Sequence, residues 1–460
     1  MASVNYYEKG GDVLISHHEK KSKCKWINLL VVAGMVLAAW SILPPKPLMA
    51  ADYAISGASD TILRMKTTID EKDIYPLYEY LRFSVASKDQ DGSTTSLHLG
   101  GWGRADLGDK SSRDEYADGD LQFGYLSFQG AKNNLVVNAG RQFVVEGVAA
   151  QRLDGLYARS DFAAGFAAAA YAGSPVVTEP NFTADDFVGG ARVTHSDKKY
   201  YTIGISALTS LTGGDRYREE EGVDLWLHPI KQVEITGGSS YNSITDGWME
   251  HAYTASFAPV ENLRLYAELS RINYQDYFFR VTTSALIFDP LTNGIDPNEE
   301  LLALGGGGSY TMLKNITVAA DYRHYDYDVA RDGNYYGGKV SYWVPESQGA
   351  GLSVHRMDNG DSRLEYMEYR LYAMKKLGRT NLTLDFIDLN YDDDARMNGV
   401  DHAIALVAAG TYEINKDLRV GASLDYSHNP FFDHELKGLA KLTYLFDVNR
   451  SAEGGTKSEN

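Results

Sequence analysis

Asp417-Leu418-Arg419-Val420-Gly421-Ala422-Ser423-Leu424-Asp425-Tyr426-Ser427 places Leu418, Val420, Ala422, Leu424 and Tyr426 on one parity and Arg419, Gly421, Ser423, Asp425 and Ser427 on the other. A period of two describes a strand with one apolar and one polar face; a helix would repeat every 3.6 residues. The pattern returns after Asn381, where Leu382, Leu384 and Phe386 alternate with Thr383 and Asp385. It opens again at Asn262-Leu263-Arg264-Leu265 and at Asn315-Ile316-Thr317-Val318, each time behind a tight polar turn. One unit repeated in this way predicts a series of antiparallel hairpins.

The alternating runs are about 9–13 residues long, against about 5–6 in a soluble sandwich, and that length suits a tilted bilayer crossing. Past Leu43 no segment is apolar over the ~18 residues of a spanning helix, so a closed barrel is the remaining way to satisfy backbone groups in lipid. Aromatic residues at Tyr200-Tyr201, Tyr277-Phe278-Phe279, Tyr335-Tyr336 and Phe431-Phe432 fall near strand ends, where girdles form. Short connections are expected at 131–134, 196–199, 229–231, 259–262, 313–315, 345–347, 377–380 and 415–417. Longer ones are expected at 108–118, 174–185, 211–219, 276–298 and 392–400, alternating with the short ones as periplasmic turns and external loops do. The fold class is therefore all-β: a transmembrane antiparallel up-and-down barrel of about 22 strands, with weak individual signals leaving 20 or 18 open. The count takes Tyr53 to Thr67 as the first strand and puts both termini in the periplasm.

No linker or composition break divides the 460 residues. Residues 1–50 differ from the rest: a Lys-rich run from Lys20 to Lys25 precedes the apolar stretch Trp26 to Leu43 and the segment ending Leu48-Met49-Ala50. That order reads as a signal peptide cleaved near Ala50, with a retained anchor as the alternative. The barrel is expected over 51–446 and a polar tail over 447–460. Removing the leader's surplus of three positive charges from the net −18 leaves −21 on 51–460, which argues against a nucleic-acid partner. The only cysteine, Cys24, lies in the leader, so the exported chain has no disulfide, thiolate metal site or covalent haem of its own. No cofactor is expected.

Parity assigns Arg104, Asp106, Arg264, Glu268, Asp321, Arg323, Arg419, Asp425 and Lys441 to the lumen. A ring of such charges sets ion selectivity, while opposite charges on neighbouring strands stiffen the wall, and the second reading is the weightier. Acidic clusters at Asp89 with Asp91, at Asp114, Glu115, Asp118 and Asp120, and at Asp392-Asp393-Asp394 lack calcium-loop spacing and read as solvated loops, so no metal ligands are assigned. The adjacent acid and histidine residues are Asp433-His434 and His324 with Asp326 and Asp328. With no nucleophile elbow, His-Glu-x-x-His or phosphate loop beside them, no catalytic residue is assigned.

Gly140-Arg141-Gln142 followed by Asp154-Gly155, together with Tyr78-Glu79-Tyr80-Leu81 and Gly101-Trp102-Gly103-Arg104-Ala105-Asp106-Leu107, resembles the outer-membrane porin-like barrels, in particular those of metal-respiring deltaproteobacteria. The resemblance extends over most of 53–446. It implies an outer-membrane location, contact with lipid and lipopolysaccharide, and a channel or conduit role, with a c-type cytochrome as the partner in the conduit case. Arg141 shares parity with Leu135, Val137 and Ala139, which would face it toward lipid. A bulge at Gly140 turning it inward is favoured over an interfacial arginine that snorkels.

Three functions follow: a diffusion channel for small solutes or ions, a sheath around a multihaem cytochrome, and, remotely, a rim hydrolase. A lumen of about 22 strands is wide enough to need a filler. Connection 276–298 is long enough to fold inward and constrict the pore but too short to fill it, and the alternative filler is another protein, a cytochrome.

Overall fold

The structure, a computed structural model, describes residues 53–67, 72–111, 115–176, 186–197, 199–278, 296, 298–360, 362–392, 401–429 and 432–450. Its sheet begins with β1 (Tyr53–Thr67), a two-residue β2 (Asp73–Ile74), β3 (Pro76–Lys88), β4 (Thr94–Asp106), β5 (Ala117–Gln129) and β6 (Leu135–Glu146). Next come β7 (Ala149–Asp161), β8 (Phe166–Pro175), β9 (Phe187–Asp197), β10 (Tyr201–Thr212), β11 (Asp215–Ile230), β12 (Val233–Asn242) and β13 (Gly247–Val260). β14 (Leu263–Asn273) leads through a helical turn, α1 (Tyr274–Tyr277), toward β15 (Glu300–Leu313), β16 (Ile316–Tyr327), β17 (Gly333–Val344) and β18 (Gln348–Asn359). The series ends with β19 (Tyr366–Leu377), β20 (Thr380–Tyr391), β21 (His402–Glu413), β22 (Leu418–Asn429) and β23 (Phe432–Arg450).

Each long strand pairs antiparallel with the long strands on either side of it, and β1 closes the ring. Tyr53 to Lys66 pair with Arg450 to Lys437 of β23, and Tyr53 to Leu63 pair with Ser87 to Leu77 of β3. Of the 23 strands in the sheet, all but β2 belong to this ring, a closed antiparallel barrel of 22 long strands. Closure gives every long strand a partner on both sides along at least part of its length.

Paired residues share a face, so the register carries the alternation from strand to strand. Tyr412, Val420 and Leu442 lie side by side on β21, β22 and β23. One residue along, Glu413, Arg419, Thr443 and Asp60 form a polar row that crosses the closure into β1. The first face exposes large apolar side chains all round, among them Leu156, Ile205, Leu352, Leu384 and Leu424. A closed sheet puts one face outside and one inside, and in a membrane-type barrel the apolar face is the outer one.

The short connections fall where the alternation of the sequence breaks, but two boundaries and one expected bulge differ from expectation. Segment 211–219 is not a long connection: β10 and β11 meet at Gly213 and Gly214, whose φ of 59° and 85° suit a tight hairpin turn. The last strand runs to Arg450, because Asp447 to Arg450 find ladder partners in Ser56 to Tyr53, so the first residues of the expected tail belong to the sheet. There is also no bulge at Gly140, since β6 keeps an unbroken register with both β5 and β7. What happens there is a departure from the wall.

Candidate functional site: a hairpin folded onto the polar face

The β5–β6 ladder runs from Gln129 paired with Val136 only as far as Gly124 paired with Arg141. On the other side, β7 joins β8 only from Leu153 paired with Pro175 onward. Beyond these limits β6 and β7 pair in the ladder with each other alone, from Phe143 with Arg152 to Glu146 with Ala149. The segment 142–152 is thus a hairpin that has left the barrel wall.

Glycine permits the exit. Gly140 has φ 127°, in a region closed to most side chains, and a Cβ there would strike the Gly124 carbonyl and Tyr125 Cα. Its register partner Gly155 lies against Ala172 O and Gly173 Cα, too close for a side chain. Arginine completes the exit. Arg141 donates from Nε and Nη2 to the two carboxylate oxygens of Asp154, at 2.8 and 2.9 Å, a bidentate pair. Its Nη1 donates to Asp120 Oδ1 at 3.3 Å and to the Leu121 carbonyl at 3.1 Å, on β5 just beyond the end of the β5–β6 ladder. Arg152 Nη1 donates to Asp120 Oδ2 at 2.9 Å. The five motif residues Gly140, Arg141, Gln142, Asp154 and Gly155 are therefore the hinge of the hairpin, and ion pairing settles where the Arg141 charge goes.

The hairpin folds onto the polar face. Its tip reaches β10 and β11: Val148 N donates to Ser206 Oγ at 3.1 Å, and the methyl of Val148 lies where a Gly222 side chain would be. Gly147, with φ 59°, makes the turn. One side of the hairpin is buried. Val144, Ala149 and Leu153 pack with Tyr171 of β8, Val188 of β9 and Leu208 of β10 in an apolar cluster flanked by Val148 and Tyr157. Within the same contact Glu146, only 4% exposed, accepts from Tyr157 Oη at 2.7 Å and from Arg192 Nη1 at 3.3 Å, with Arg159 Nη1 at 3.6 Å. Arg192 continues to Asp224, donating from Nε at 3.0 Å and from Nη2 at 2.5 Å. One carboxylate thus links β6, β7, β9 and β11. On the other side of the hairpin Phe143 and Val145 are 62% and 65% exposed.

Beside the tip lies a cavity of about 600 Å³ lined by Val148, Tyr217, Arg218, Glu220, Asp276 and Tyr277. Arg218 is ion-paired with Glu220. Asp276 belongs to α1 and is buried, and its backbone carbonyl accepts from Asn242 Nδ2 at 3.0 Å. Most of connection 276–298, the segment that the sequence offers as an inward-folding constriction, lies outside the described residues.

The nine charged residues picked by parity all occupy the polar face and are spread round the ring. Glu268 and Arg323 meet, with Arg323 Nε donating to Oε1 at 2.6 Å. Asp321 Oδ1 is 3.1 Å from His355 Nε2, Arg419 Nε is 3.6 Å from Glu413 Oε1, and Lys441 Nζ is 3.0 Å from Asp60 Oδ1. Asp425 pairs in register with Lys437, and Arg264 with Ser309. Arg104 and Asp106 share Ser111, which accepts from Arg104 Nη1 at 2.7 Å and donates its hydroxyl to Asp106 Oδ1 at 2.7 Å. None of the nine belongs to the hairpin, which the parity argument missed. Its trace in the sequence is Phe143-Val144-Val145, three apolar residues in succession that break the alternation of β6 between a positive-φ glycine and Gly147.

Among the described residues His324 forms no ion pair with Asp326 or Asp328. His324 Nδ1 is 2.9 Å from Asn334 Oδ1, and His434 Nδ1 is 2.7 Å from Tyr426 Oη with its ring stacked on His428. The Asp433 side chain lies outside the described residues. Among the described residues no three His, Cys, Asp or Glu side chains gather as a metal site. Of the acidic clusters, Asp89 and Asp91 fold the 89–93 turn by accepting from Ser93 Oγ, at 3.3 and 2.7 Å. Asp392 accepts from Arg356 Nη1 at 2.6 Å, and that guanidinium holds its carboxyl below the usual carboxylate range. Asp114, Asp393 and Asp394 lie outside the described residues.

No family model matches the sequence, and no curated protein matches it. Among solved structures the chain aligns with OccAB4 of Acinetobacter baumannii at 11% identity, over 88% of this chain and 100% of that one, with a TM-score of 0.43. The P pilus usher (PapC) translocation pore aligns at 7% identity over 87% and 100%, with a TM-score of 0.44. A mutant of the ferric enterobactin receptor PfeA of Pseudomonas aeruginosa aligns at 10% identity over 86% and 81%, with a TM-score of 0.46. At these scores the fold rests on the strand register of the chain itself.

Proposed function

We propose that this chain is an outer-membrane channel whose water-filled polar lumen is narrowed by hairpin 142–152. In this reading residues 1–50 direct export, both termini lie in the periplasm, and the longer connections face outward into lipopolysaccharide. The apolar outer face supports insertion in lipid. A strand of about 12 residues rises about 40 Å, and a tilt of about 45° brings its span to about 28 Å, near the hydrocarbon thickness of about 30 Å. The observation that carries the channel reading is the pinned hairpin. Its Glu146–Arg192–Asp224 chain and its Val148 tip hold it on the polar face of the barrel, as expected of an element that sets a pore's cross-section. Passage is for small polar solutes or ions.

The test is the conductance of the purified chain in planar bilayers beside a variant with 143–150 replaced by a Gly-Asn turn. Steady wild-type channels and a larger conductance in the variant are expected. Two equal conductances would end the constriction reading, and no conductance in either would end the channel reading.

A second reading, the sheath of a porin–cytochrome conduit, is favoured by the width of a 22-strand ring, of which hairpin 142–152 packs only on β8 to β11. A cysteine-free barrel would then enclose a haem-bearing c-type cytochrome. A haem spectrum in the mildly purified native complex is the result that would move the assignment there.

A further inference from the structure

On the polar face of β14 to β19 the aromatic rings lie against glycine. Tyr266 covers Gly307, where a Cβ would meet its Cε1 and Oη at 2.8 and 2.9 Å, and it is 39% exposed. His355 lies over Gly337, and Tyr335 stacks parallel to it with centroids 5.0 Å apart and 4° between planes. Tyr266 thus turns a face to the lumen, while His355, laid on Gly337, is covered in turn by the half-buried Tyr335. Polar groups edge these rings: Arg323 Nε bonds to Glu268 at 2.6 Å, His355 Nε2 faces Asp321 at 3.1 Å, and Tyr335 Oη donates to Glu368 Oε2 at 3.3 Å. Glu268 and Arg323 neutralise each other, while Asp321 and Glu368 are held by His355 and Tyr335, so the arc offers planar donors and acceptors with a surplus of carboxylate.

We propose that this arc binds neutral carbohydrate. The apolar face of a pyranose packs on a flat aromatic ring, while its ring hydroxyls need paired donors and acceptors in a plane at the ring edge, as carboxylates and guanidinium provide. An inorganic anion would be repelled by the ring faces and the carboxylates, and a small cation would use the carboxylates without needing the flat ring-and-edge arrangement. An apolar solute would leave Glu268, Asp321 and Arg323 stripped of water without new partners. Tyr266 and Tyr335 are the stacking residues, and Glu268, Asp321 and Arg323 hold the hydroxyls. The inference rests on the channel reading and names the solute class it admits.

The test adds maltohexaose to the protein in planar bilayers, with a polyethylene glycol of equal hydrodynamic size as the control for simple crowding of the pore. Half-block at millimolar saccharide is expected, with no equivalent block by the polymer. Tyr266→Ala and Tyr335→Ala should each raise the half-blocking concentration about tenfold, while Tyr266→Phe should leave it unchanged. No block at tens of millimolar, or equal block in wild type and both alanine variants, overturns the proposal. If the chain does not conduct at all, the channel reading fails by itself, and titration calorimetry of the detergent-solubilised protein with maltohexaose then decides. Binding weakened by the alanine variants keeps the carbohydrate site, and absence of binding removes it.

Discussion

Replacing Glu146 by Ala should loosen the hairpin without unfolding the barrel, because the ladder through Gly124–Arg141 and Leu153–Pro175 does not involve it. The side chain is buried, bonded to Tyr157 and Arg192, and near Arg159. Hydrogen bonds to a charged group contribute about 1.5–3 kcal/mol each, and stranding a buried partner costs more. Arg192 keeps Asp224, which limits the loss. About 2–4 kcal/mol is therefore expected, a shift of roughly one and a half to three powers of ten in the ratio of docked to undocked hairpin. Burial of Val144 and Leu153 still contributes about 1.5–3 kcal/mol apiece, so the single variant stays mostly docked and opens briefly. Single-channel recording should then show short steps to a higher conductance, and limited proteolysis should cut between Glu146 and Ala150. Adding Val144→Ala should make the open level dominant. The isosteric Glu146→Gln keeps an acceptor for Tyr157 and should fall between wild type and Glu146→Ala. If all three variants are heat-modifiable, and so folded, yet match wild type in current noise and cleavage, the Glu146 link does not hold the hairpin and the reasoning is wrong.

Three further expectations are direct. Leu384→Arg should impair assembly more than Thr383→Arg, since the first puts charge on the apolar face at about 2–4 kcal/mol and the second does not; equal heat-modifiable yields from outer-membrane fractions would mean that the faces are exchanged. Gly155→Val should disrupt the hinge, because its Cβ would meet Ala172 O and Gly173 Cα, and a variant with wild-type conductance and protease resistance would show that the close approach is unnecessary. N-terminal sequencing of chain extracted from outer membrane should begin near Ala51, and Met1 in that fraction would remove the signal-peptide reading.

The barrel was legible in the sequence because it is a local rule repeated. Spans such as Leu418–Asn429 and Thr380–Tyr391 each carry their own period-two pattern, and strands that alternate over bilayer length have few ways to satisfy their backbones other than by pairing into a closed ring. Parity likewise sorted Leu384 from Thr383 and placed Glu268 and Arg323 on one face, since face assignment needs no knowledge of neighbours. Tertiary structure alone decided what occupies that face. The Gly140-Arg141-Gln142 and Asp154-Gly155 segments announce something unusual, but a strand that stays in the wall and one that leaves it can have the same alternation for most of their length. The choice depends on contacts distant in sequence: Glu146 with Arg192 and Val148 with Ser206. It depends equally on two glycines, 140 and 155, whose meaning lies in the backbone atoms pressed against them. The long 276–298 connection drew attention by its length, while the hairpin that folds onto the polar face turns on two residues, Gly147 and Val148, between β6 and β7. Loop length is a property of sequence; the direction in which a hairpin leans follows from which distant side chains can bury its apolar side and match its charge.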